Sequence, residues 1–297
     1  MHAVILGCGY IGLEAGRRLT EVGHRVTGMR RSAAGIESIE SAGFEAIRGD
    51  ITDSSSLEGL PDADWLLYTA SAGRGGEQTV RDIYIEGLQL AIEEYAAREA
   101  SPDRIVYTSS TGVYGDHGGE WVDEETPPAP IGQRGRVLLE AESLALDEAS
   151  SRGIDGTVVR FGGLYGPDRY RIERYLDQPV TGGYRNSTHR NDGAGAMVHL
   201  LETDQGRDEV ILVVDDEPVD KWEFADWLAT QCDRDPPPKV TVEERLATDD
   251  LSTTAAARLK SDKRCRNDRL HNLGYELEVP TVWEGYQPAI AEYKQHD

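Results

Sequence analysis

The chain has 297 residues, with 31 Lys and Arg against 54 Asp and Glu, which gives a formal net charge of −23. This length predicts one large or two modest domains with a core that needs no disulfide or metal staple, and the acidity argues against nucleic acid or anionic membranes as partners. Three widely spaced cysteines, no signal-peptide pattern and no bilayer-length apolar run predict a cytoplasmic protein without a metal site.

Most of the basic residues are arginines. Only five are lysines, and none of these precedes Lys221. An acidic chain that is poor in lysine suits a salt-rich cytoplasm, where carboxylates hold water and their mutual repulsion is screened. We therefore hypothesise a halophilic origin.

Short apolar runs alternate with longer helical patterns along most of the chain. The first run ends at Gly7, and the amphipathic stretch after it is closed by Gly23, as a helix C-terminus commonly is. The predicted strands are Ala3–Leu6, Arg25–Gly28, Glu45–Ile47, Trp65–Tyr68, Arg104–Tyr107, Thr157–Arg160 and Val210–Val214. The predicted helices are Ile11–Val22, Val80–Arg98, Val137–Ser150, Gly193–Leu201 and Val219–Ala229.

Alternation of strands and helices, with near-continuous apolar strands, is typical of a parallel sheet covered on both faces. We therefore predict an α/β fold with a doubly wound parallel sheet. Its dinucleotide-binding domain is expected to span residues 1–165, and residues 188–216 are expected to return to it. Proline and glycine interrupt the pattern afterwards, so residues 166–297 are predicted to form a smaller substrate-binding lobe.

A glycine-rich loop joins the first strand to the first helix, with the sequence Gly7-Cys8-Gly9-Tyr10-Ile11-Gly12. In a Rossmann fold, the first glycine permits the tight turn, the second lets a pyrophosphate approach the backbone, and the third lets the helix pack on the strand. The free amides at the helix start bind the anion. The loop therefore predicts a dinucleotide site that includes Gly7, Gly9, Tyr10, Ile11 and Gly12.

The second strand favours one dinucleotide over the other. An NAD site usually has a carboxylate near the end of this strand, whereas this chain has Arg30 and Arg31. Two guanidiniums can bind a 2′-phosphate, so NADP(H) is predicted as the preferred cofactor and NAD(H) as a possible one. Ordinary surface arginines are the alternative. Asp50 could accept a hydrogen bond from the adenine amino group or cap a turn.

Further segments resemble those of the extended short-chain dehydrogenases/reductases, the superfamily of NAD(P)-dependent sugar-nucleotide epimerases and dehydratases. The resemblance spans nearly the whole chain and rests on the glycine loop, on Gly49-Asp50, on Tyr107–Gly115, on Val159–Pro167 and on His189–Asp192. It implies an oxidoreductase or a nucleotide-sugar-modifying enzyme, and by analogy a homodimer. It also extends the predicted cofactor contacts to a set that comprises Ile51, Thr69, Ala70, Ser71, Phe161 and Gly162.

The same resemblance implies catalytic residues. Ser110 stands four residues before Tyr114, where the family has a hydroxyl that binds the reacting oxygen, and Thr111 is an alternative that would also contact substrate. The family's Tyr-x-x-x-Lys pair exchanges the proton. Here Arg134 occupies the tyrosine position and Leu138 the lysine position.

Arginine stays protonated near neutral pH and is a poor acid or base, but Arg134 could orient an anionic group. Tyr114 could instead donate a proton or be structural. His189 and Asp192 resemble the segment that lines the family's substrate cleft, although Asp192 could simply cap the following helix. Two functions therefore remain open from the sequence. One is an atypical NADP(H)-dependent enzyme, and the other is a non-catalytic dinucleotide sensor or scaffold.

Overall fold

A computed structural model describes residues 1–72, 78–248 and 251–296. Its strands are β1 His2–Leu6, β2 Arg25–Arg30, β3 Glu45–Arg48, β4 Trp65–Tyr68, β5 Arg104–Ser110, β6 Trp121–Val122, β7 Asp155–Phe161, β8 Gly163–Tyr165, β9 Val180–Thr181, β10 Tyr184–Arg185, β11 Ser187–His189, β12 Glu209–Val213, β13 Val219–Asp220, β14 Lys239–Val240 and β15 Arg264–Cys265. Its helices are α1 Tyr10–Glu21, α2 Ala33–Ser41, α3 Ser54–Glu58, α4 Gly87–Ala96, α5 Gln133–Ser143, α6 Ala149–Ser151, α7 Ile172–Asp177, α8 Arg190–Glu202, α9 Lys221–Gln231, α10 Val242–Thr248, α11 Thr253–Leu259, α12 Asp268–Asn272, α13 Val282–Gly285 and α14 Gln287–His296.

The main sheet has seven strands in the order β12-β7-β5-β4-β1-β2-β3, and every pairing in it is parallel. The doubly wound α/β fold predicted from the sequence is therefore confirmed. The chain runs outward from β1 to β3 and then returns to place β4 on the other side of β1. The register pairs Leu6 with both Met29 and Tyr68, so these strands end together at one edge. Ligands bind at such a switch point in open α/β sheets.

The two faces of this sheet are covered by different helices. One apolar cluster packs α1 and α8 on the face that carries Ile5, Val106 and Ile211. The other packs α4 and α5 on the face that carries Leu66 and Leu212. Each fully buried aliphatic side chain contributes roughly 2 kcal/mol to stability, so both helical layers are held mainly by apolar contacts with the strands.

Several helix boundaries differ from the sequence prediction. The helix predicted at Val80–Arg98 contains a π-helical turn, Asp82–Glu86, before α4. Helix α5 starts four residues earlier than expected, and α8 starts at Arg190 because the side chain of His189 accepts a hydrogen bond from the Asn191 amide. Asp192, the cap considered in the sequence analysis, therefore lies inside the first turn.

A third apolar cluster lies in the C-terminal part of the chain and joins α7, α9, α13 and α14. Phe224 at its centre is fully buried and packs edge-on against Tyr175 and Tyr286. Helix α9 starts at Lys221 because the carboxylate of Asp220 accepts hydrogen bonds from the amides of Trp222 and Glu223. Among the described residues, none of the helices is long and apolar enough to cross a membrane.

Candidate functional site

A cleft of about 1620 Å³ opens at the carboxyl ends of the central strands. Residues that directly follow these strands line one wall, among them Gly7, Arg31, Thr69, Thr111 and Gly162. The C-terminal part of the chain supplies the other wall through residues from Arg169 onward. The sheet edge and the C-terminal part thus enclose one shared space.

The glycine loop lines this cleft through Gly7, Gly9, Tyr10 and Ile11. Gly7 has φ of 72°, and a Cβ atom there would lie 2.4 Å from the Cα of Ala70, so only glycine fits. Helix α1 has neither a side-chain N-cap nor an acidic residue in its first turn. Its first amides therefore face the cleft without a capping carboxylate, which suits the binding of an anion.

Gly12 lies one layer behind the loop, where a Cβ would be 2.6 Å from the Thr69 hydroxyl and 3.0 Å from a methyl group of Ile5. It therefore permits close packing of α1 on the sheet. The remaining predicted cofactor contacts that line the cleft are Ile51, Thr69, Ala70, Ser71, Phe161 and Gly162.

Both arginines at the end of β2 line the cleft. Arg30 Nη1 lies 2.6 Å from where a Gly9 Cβ would be and donates a hydrogen bond to the Cys8 carbonyl at 3.3 Å. Arg31 is exposed, with one nitrogen 3.5 Å from Asp50. The carboxylate of Asp50 does not line the cleft and accepts hydrogen bonds from Thr52 and Gln78. Burial alone would raise the pKa of Asp50, but these bonds lower it.

Ser110 and Thr111 both line the cleft at the end of β5. The Ser110 hydroxyl accepts a hydrogen bond from the Gly112 amide at 3.2 Å and caps the short 3₁₀ turn Thr111–Tyr114. The structure therefore brings both predicted hydroxyls to the space in front of the sheet.

Tyr114, predicted as a possible proton donor, does not line the cleft. Its side chain is fully buried, and its hydroxyl accepts a hydrogen bond from Arg160 Nη1 at 2.7 Å. Arg160 is in turn paired with Glu142. Burial raises the pKa of Tyr114 above its ordinary range despite the nearby guanidinium. The structural alternative is therefore the one that fits Tyr114, because the turn after Ser110 directs its ring into the core.

Two further residues that were expected to line the substrate cleft are buried outside it. His189 is 5% exposed and Asp192 is 1% exposed, and neither lines the cleft. Asp192 accepts hydrogen bonds from the amides of Glu278 and Val279, so it attaches the C-terminal segment to α8. Burial lowers the pKa of His189 to about 4, which keeps the ring neutral.

Arg134 lines the cleft from the start of α5. Its Nη2 donates a hydrogen bond of 2.6 Å to the hydroxyl of Tyr84, and its guanidinium lies 5.2 Å from the centre of that ring. Tyr84 also lines the cleft and was not singled out by the sequence analysis. Its only available signal was a position in the helical segment after β4, at the ligand-binding edge of the sheet.

The described lining of the cleft contains no aspartate and no glutamate, although these residues outnumber the basic ones in the chain. Its basic residues are Arg30, Arg31, Arg81, Arg134, Arg169, Arg171, Arg174, Arg185, Lys221, Arg245, Arg258 and Lys263. The separation of charge makes the cleft attractive to anions.

Eight of these basic residues lie in the C-terminal wall and were not singled out by the sequence analysis, among them Arg185, Lys221 and Lys263. Arg185 sits over the rings of Tyr286 and Phe224, and its buried Nη1 has no hydrogen-bond partner in the described structure. Lys263 is 5% exposed and donates hydrogen bonds to the Gly115 carbonyl and the Ser261 hydroxyl. Burial lowers the pKa of Lys263 and of Lys221. The rarity of lysine in this chain was the one sequence signal that could have pointed to Lys221 and Lys263.

Comparison with known proteins places this site in a family context. The sequence profile of the NAD(P)H-binding family matches residues 7–204. Protein YeeZ of Escherichia coli K12 is 32% identical over 209 residues, which cover 68% of this chain and 73% of that protein. A Methylobacillus flagellatus structure, assigned provisionally to the NAD-dependent epimerases/dehydratases, is 30% identical with a TM-score of 0.79 over 98% of both chains. The UDP-glucuronic acid 4-epimerase of Bacillus cereus, solved with NAD, has a TM-score of 0.77 at 22% identity over 100% of this chain and 99% of its own.

Proposed function

We propose a function from one premise: this chain belongs to the NAD(P)H-binding family within the epimerase/dehydratase superfamily. The proposed function is that of an NADP(H)-dependent enzyme. Its substrate is a hydroxyl or keto compound that carries an anionic group, such as a nucleotide-linked sugar. Its active site is the cleft at the carboxyl ends of the strands.

The residues present fit a dinucleotide. Gly7 permits the tight turn against Ala70, Gly9 lets the backbone approach a pyrophosphate, and the uncapped start of α1 supplies amides. When bound, the nicotinamide of such a cofactor gives or takes a hydride. Phe161, the last residue of β7, and Gly162 after it would contact the nicotinamide side, and Thr69 to Ser71 would contact the middle of the cofactor.

The arginines at the end of β2 support NADP(H) over NAD(H). Arg30 lies beside Gly9, so its guanidinium is close to the phosphate loop, and Arg31 adds a second exposed cation. Guanidiniums form charge-assisted pairs with phosphate, whereas no carboxylate at this position lines the cleft to accept bonds from an unphosphorylated ribose. Asp50 is already engaged by Thr52 and Gln78.

The C-terminal wall supports an anionic substrate. One nitrogen of Arg185 has no hydrogen-bond partner among the described residues, Lys263 is buried, Lys221 is half-buried, and no described carboxylate lines the cleft beside them. Asp262 interacts electrostatically with both lysines, and the phosphates of a nucleotide-linked sugar would add to this compensation. The UDP-glucuronic acid epimerase with the same fold is named for a substrate of this class.

The uncapped start of α1 beside Arg30 is the observation that carries this proposal. Calorimetry of the full chain in high-salt buffer is expected to show NADPH binding at least about tenfold tighter than NADH, equivalent to about 1.4 kcal/mol. A panel of UDP-sugars with NADP⁺, and of keto compounds with NADPH, is then expected to give turnover that Ser110→Ala lowers by about 100-fold. Absence of binding by both cofactors would contradict the proposal.

A non-catalytic sensor or scaffold is the second candidate. It is favoured by α5, which contains neither tyrosine nor lysine and carries the buried Leu138 where the family has its lysine. This function predicts tight NADPH binding without turnover across the panel, and partner binding that differs between NADP⁺ and NADPH. Cytoplasmic location, homodimerisation and a two-lobe division near residue 165 also stay predictions.

A further inference from the structure

The cleft must contain a group that exchanges a proton with the substrate if the proposed function holds. Helix α5 has no tyrosine, and Tyr114 is turned into the core. Ser110 can share a hydrogen bond with the reacting oxygen, but a serine hydroxyl on its own is a weak acid and a weak base at neutral pH. The proton must therefore come from another residue of the lining.

Seven tyrosines line the described cleft, and their hydroxyls are engaged differently. For Tyr170, Tyr175 and Tyr184, no hydrogen-bond donor to the hydroxyl is described. The hydroxyl of Tyr10 donates to the Pro167 carbonyl, that of Tyr165 to the Thr281 carbonyl, and that of Tyr286 to the Tyr170 carbonyl. Each of these three protons is committed to a backbone acceptor. Tyr84 differs, because the hydrogen bonds described at its oxygen come from donors, namely Arg134 Nη2 at 2.6 Å and the Ala72 amide at 3.3 Å.

Two donors on one phenol oxygen have a definite chemical consequence. They leave the proton of Tyr84 free to point elsewhere, and they stabilise negative charge on the oxygen once that proton has left. The guanidinium of Arg134 is permanently charged, so it supplies this compensation at any physiological pH. The ring of Tyr84 is only 3% exposed, which fixes the position of the hydroxyl.

We propose that Tyr84 is the residue that exchanges the substrate proton, and that Arg134 is the positioning residue that holds and compensates it. This inference rests on the proposed function. Oxidation of a secondary alcohol breaks its C–H and O–H bonds. A bound oxidised nicotinamide would supply the hydride acceptor, and Tyr84 as its phenolate would take the hydroxyl proton, so that the ketone, the reduced nicotinamide and the Tyr84 phenol balance the step. Reduction runs through the same steps in reverse.

The tyrosine and the cation come from two separate segments here, whereas the family's Tyr-x-x-x-Lys pair lies within one segment. The tyrosine comes from the π-helical turn Asp82–Glu86, and the cation comes from the first turn of α5. A cation beside a phenol is the combination that the family's missing pair would supply. Arg134 is thereby given a function that does not require it to lose a proton.

Tyr84→Phe tests the inference, because it removes one oxygen and keeps the ring. We expect kcat for the reduction of phenanthrenequinone by NADPH, and for the best UDP-sugar of the panel with NADP⁺, to fall about 100-fold or more. KM, the NADPH dissociation constant measured by fluorescence, and the thermal midpoint should stay close to wild type. Tyr95→Phe is the matched control. The guanidinium of Arg98 lies 4.0 Å from the centre of the Tyr95 ring, but Tyr95 does not line the cleft.

Arg134 is tested by two variants. Arg134→Gln should lower kcat with little change in KM, and Arg134→Lys should recover part of the loss because it restores a cation; a purely structural arginine would not show this split. Turnover by Tyr84→Phe equal to wild type would overturn the inference and leave the proposed function intact. Wild-type protein that binds NADPH but turns over none of the probes would overturn both.

Discussion

Arg160 on β7 and Glu142 on α5 form an ion pair of 2.6 Å directly behind the cleft, and their side chains are only 4% and 3% exposed. The same guanidinium donates to Tyr114, and the same carboxylate accepts from the Ser109 hydroxyl. The pair therefore ties α5, which carries Arg134, to the two strands that end at Ser110 and Phe161. A buried network of this kind fixes geometry when every member is satisfied.

Glu142→Gln is expected to destabilise the protein by about 3–5 kcal/mol, because it leaves the buried guanidinium of Arg160 without a counter-charge. Denaturant unfolding measures the change. Glu140→Gln is the control on the same helix, since Glu140 pairs with Arg81 at the surface, where both side chains are about half exposed. Its loss should cost less than about 1 kcal/mol. Equal effects from the two variants would contradict the assigned role of the buried pair.

Replacement of the β2 arginines should change cofactor choice and leave stability nearly unaltered. Arg30→Ala and Arg31→Ala are each expected to weaken NADPH binding about tenfold or more while NADH binding changes little, because only NADPH carries the 2′-phosphate. Arg25→Ala is the control, since Arg25 starts the same strand but pairs with Glu45. Calorimetric titration with both nucleotides measures the ratio. A parallel loss of both affinities would refute 2′-phosphate recognition.

Gly9→Ala should weaken dinucleotide binding without unfolding the protein. The new methyl group would lie 2.6 Å from Arg30 Nη1, the end of a flexible side chain that can move away. It would also occupy the approach of the pyrophosphate, so we expect at least about a tenfold loss of NADPH affinity. Gly59→Ala, where the nearest atom lies at 3.8 Å, should bind as wild type does. Retained affinity in Gly9→Ala would place the phosphates elsewhere.

Asp215 makes stability depend on pH in a predictable direction. Burial raises the pKa of Asp215 to about 8 in the folded protein, whereas an unfolded aspartate has a pKa of about 3.9. Between these values the unfolded state binds fewer protons, so this group lowers stability progressively as pH rises from about 4 to about 8. From pH 5 to pH 8, the free energy of unfolding of the wild type should therefore fall by at least about 1.4 kcal/mol relative to that of Asp215→Asn. If the difference in the free energy of unfolding between the two proteins stays constant from pH 5 to pH 8, the effect is disproved.

The surplus of acidic residues predicts stabilisation by salt. Raising KCl from about 0.1 M to about 2 M shortens the screening length from about 10 Å to a few ångströms, and we expect the thermal midpoint to rise as carboxylate repulsion is screened. Sucrose of equal osmolality is the control, because it changes the solvent without screening charge. A midpoint that is indifferent to KCl would remove the case for a halophilic origin.

Local patterns were sufficient to predict the seven strands of the main sheet, the glycine loop between β1 and α1, and most of the helices that pack on the sheet, although α2 was not predicted. Burial of a parallel strand demands a continuous apolar run, a helix demands its own period, and the first βα turn demands glycines at fixed spacing. Each of these requirements is met within about 30 residues of sequence, so it can be read without knowledge of distant contacts. Arg30 and Arg31 were found from their place at the end of the second strand, whereas Ser110 and Thr111 were found through the resemblance of Tyr107–Gly115 to the family.

The tertiary structure alone decided which side chains share the cleft. Tyr84 and Arg134 are 50 residues apart, and Lys263 reaches Gly115 across 148 residues, so no local period connects them. It also turned Tyr114, His189 and Asp192 away from the cleft, because burial and hydrogen bonds with distant segments set their orientation. The crossover connections and the packing of the C-terminal part determine which of these side chains come into contact. Neither produces a sequence pattern with a fixed spacing.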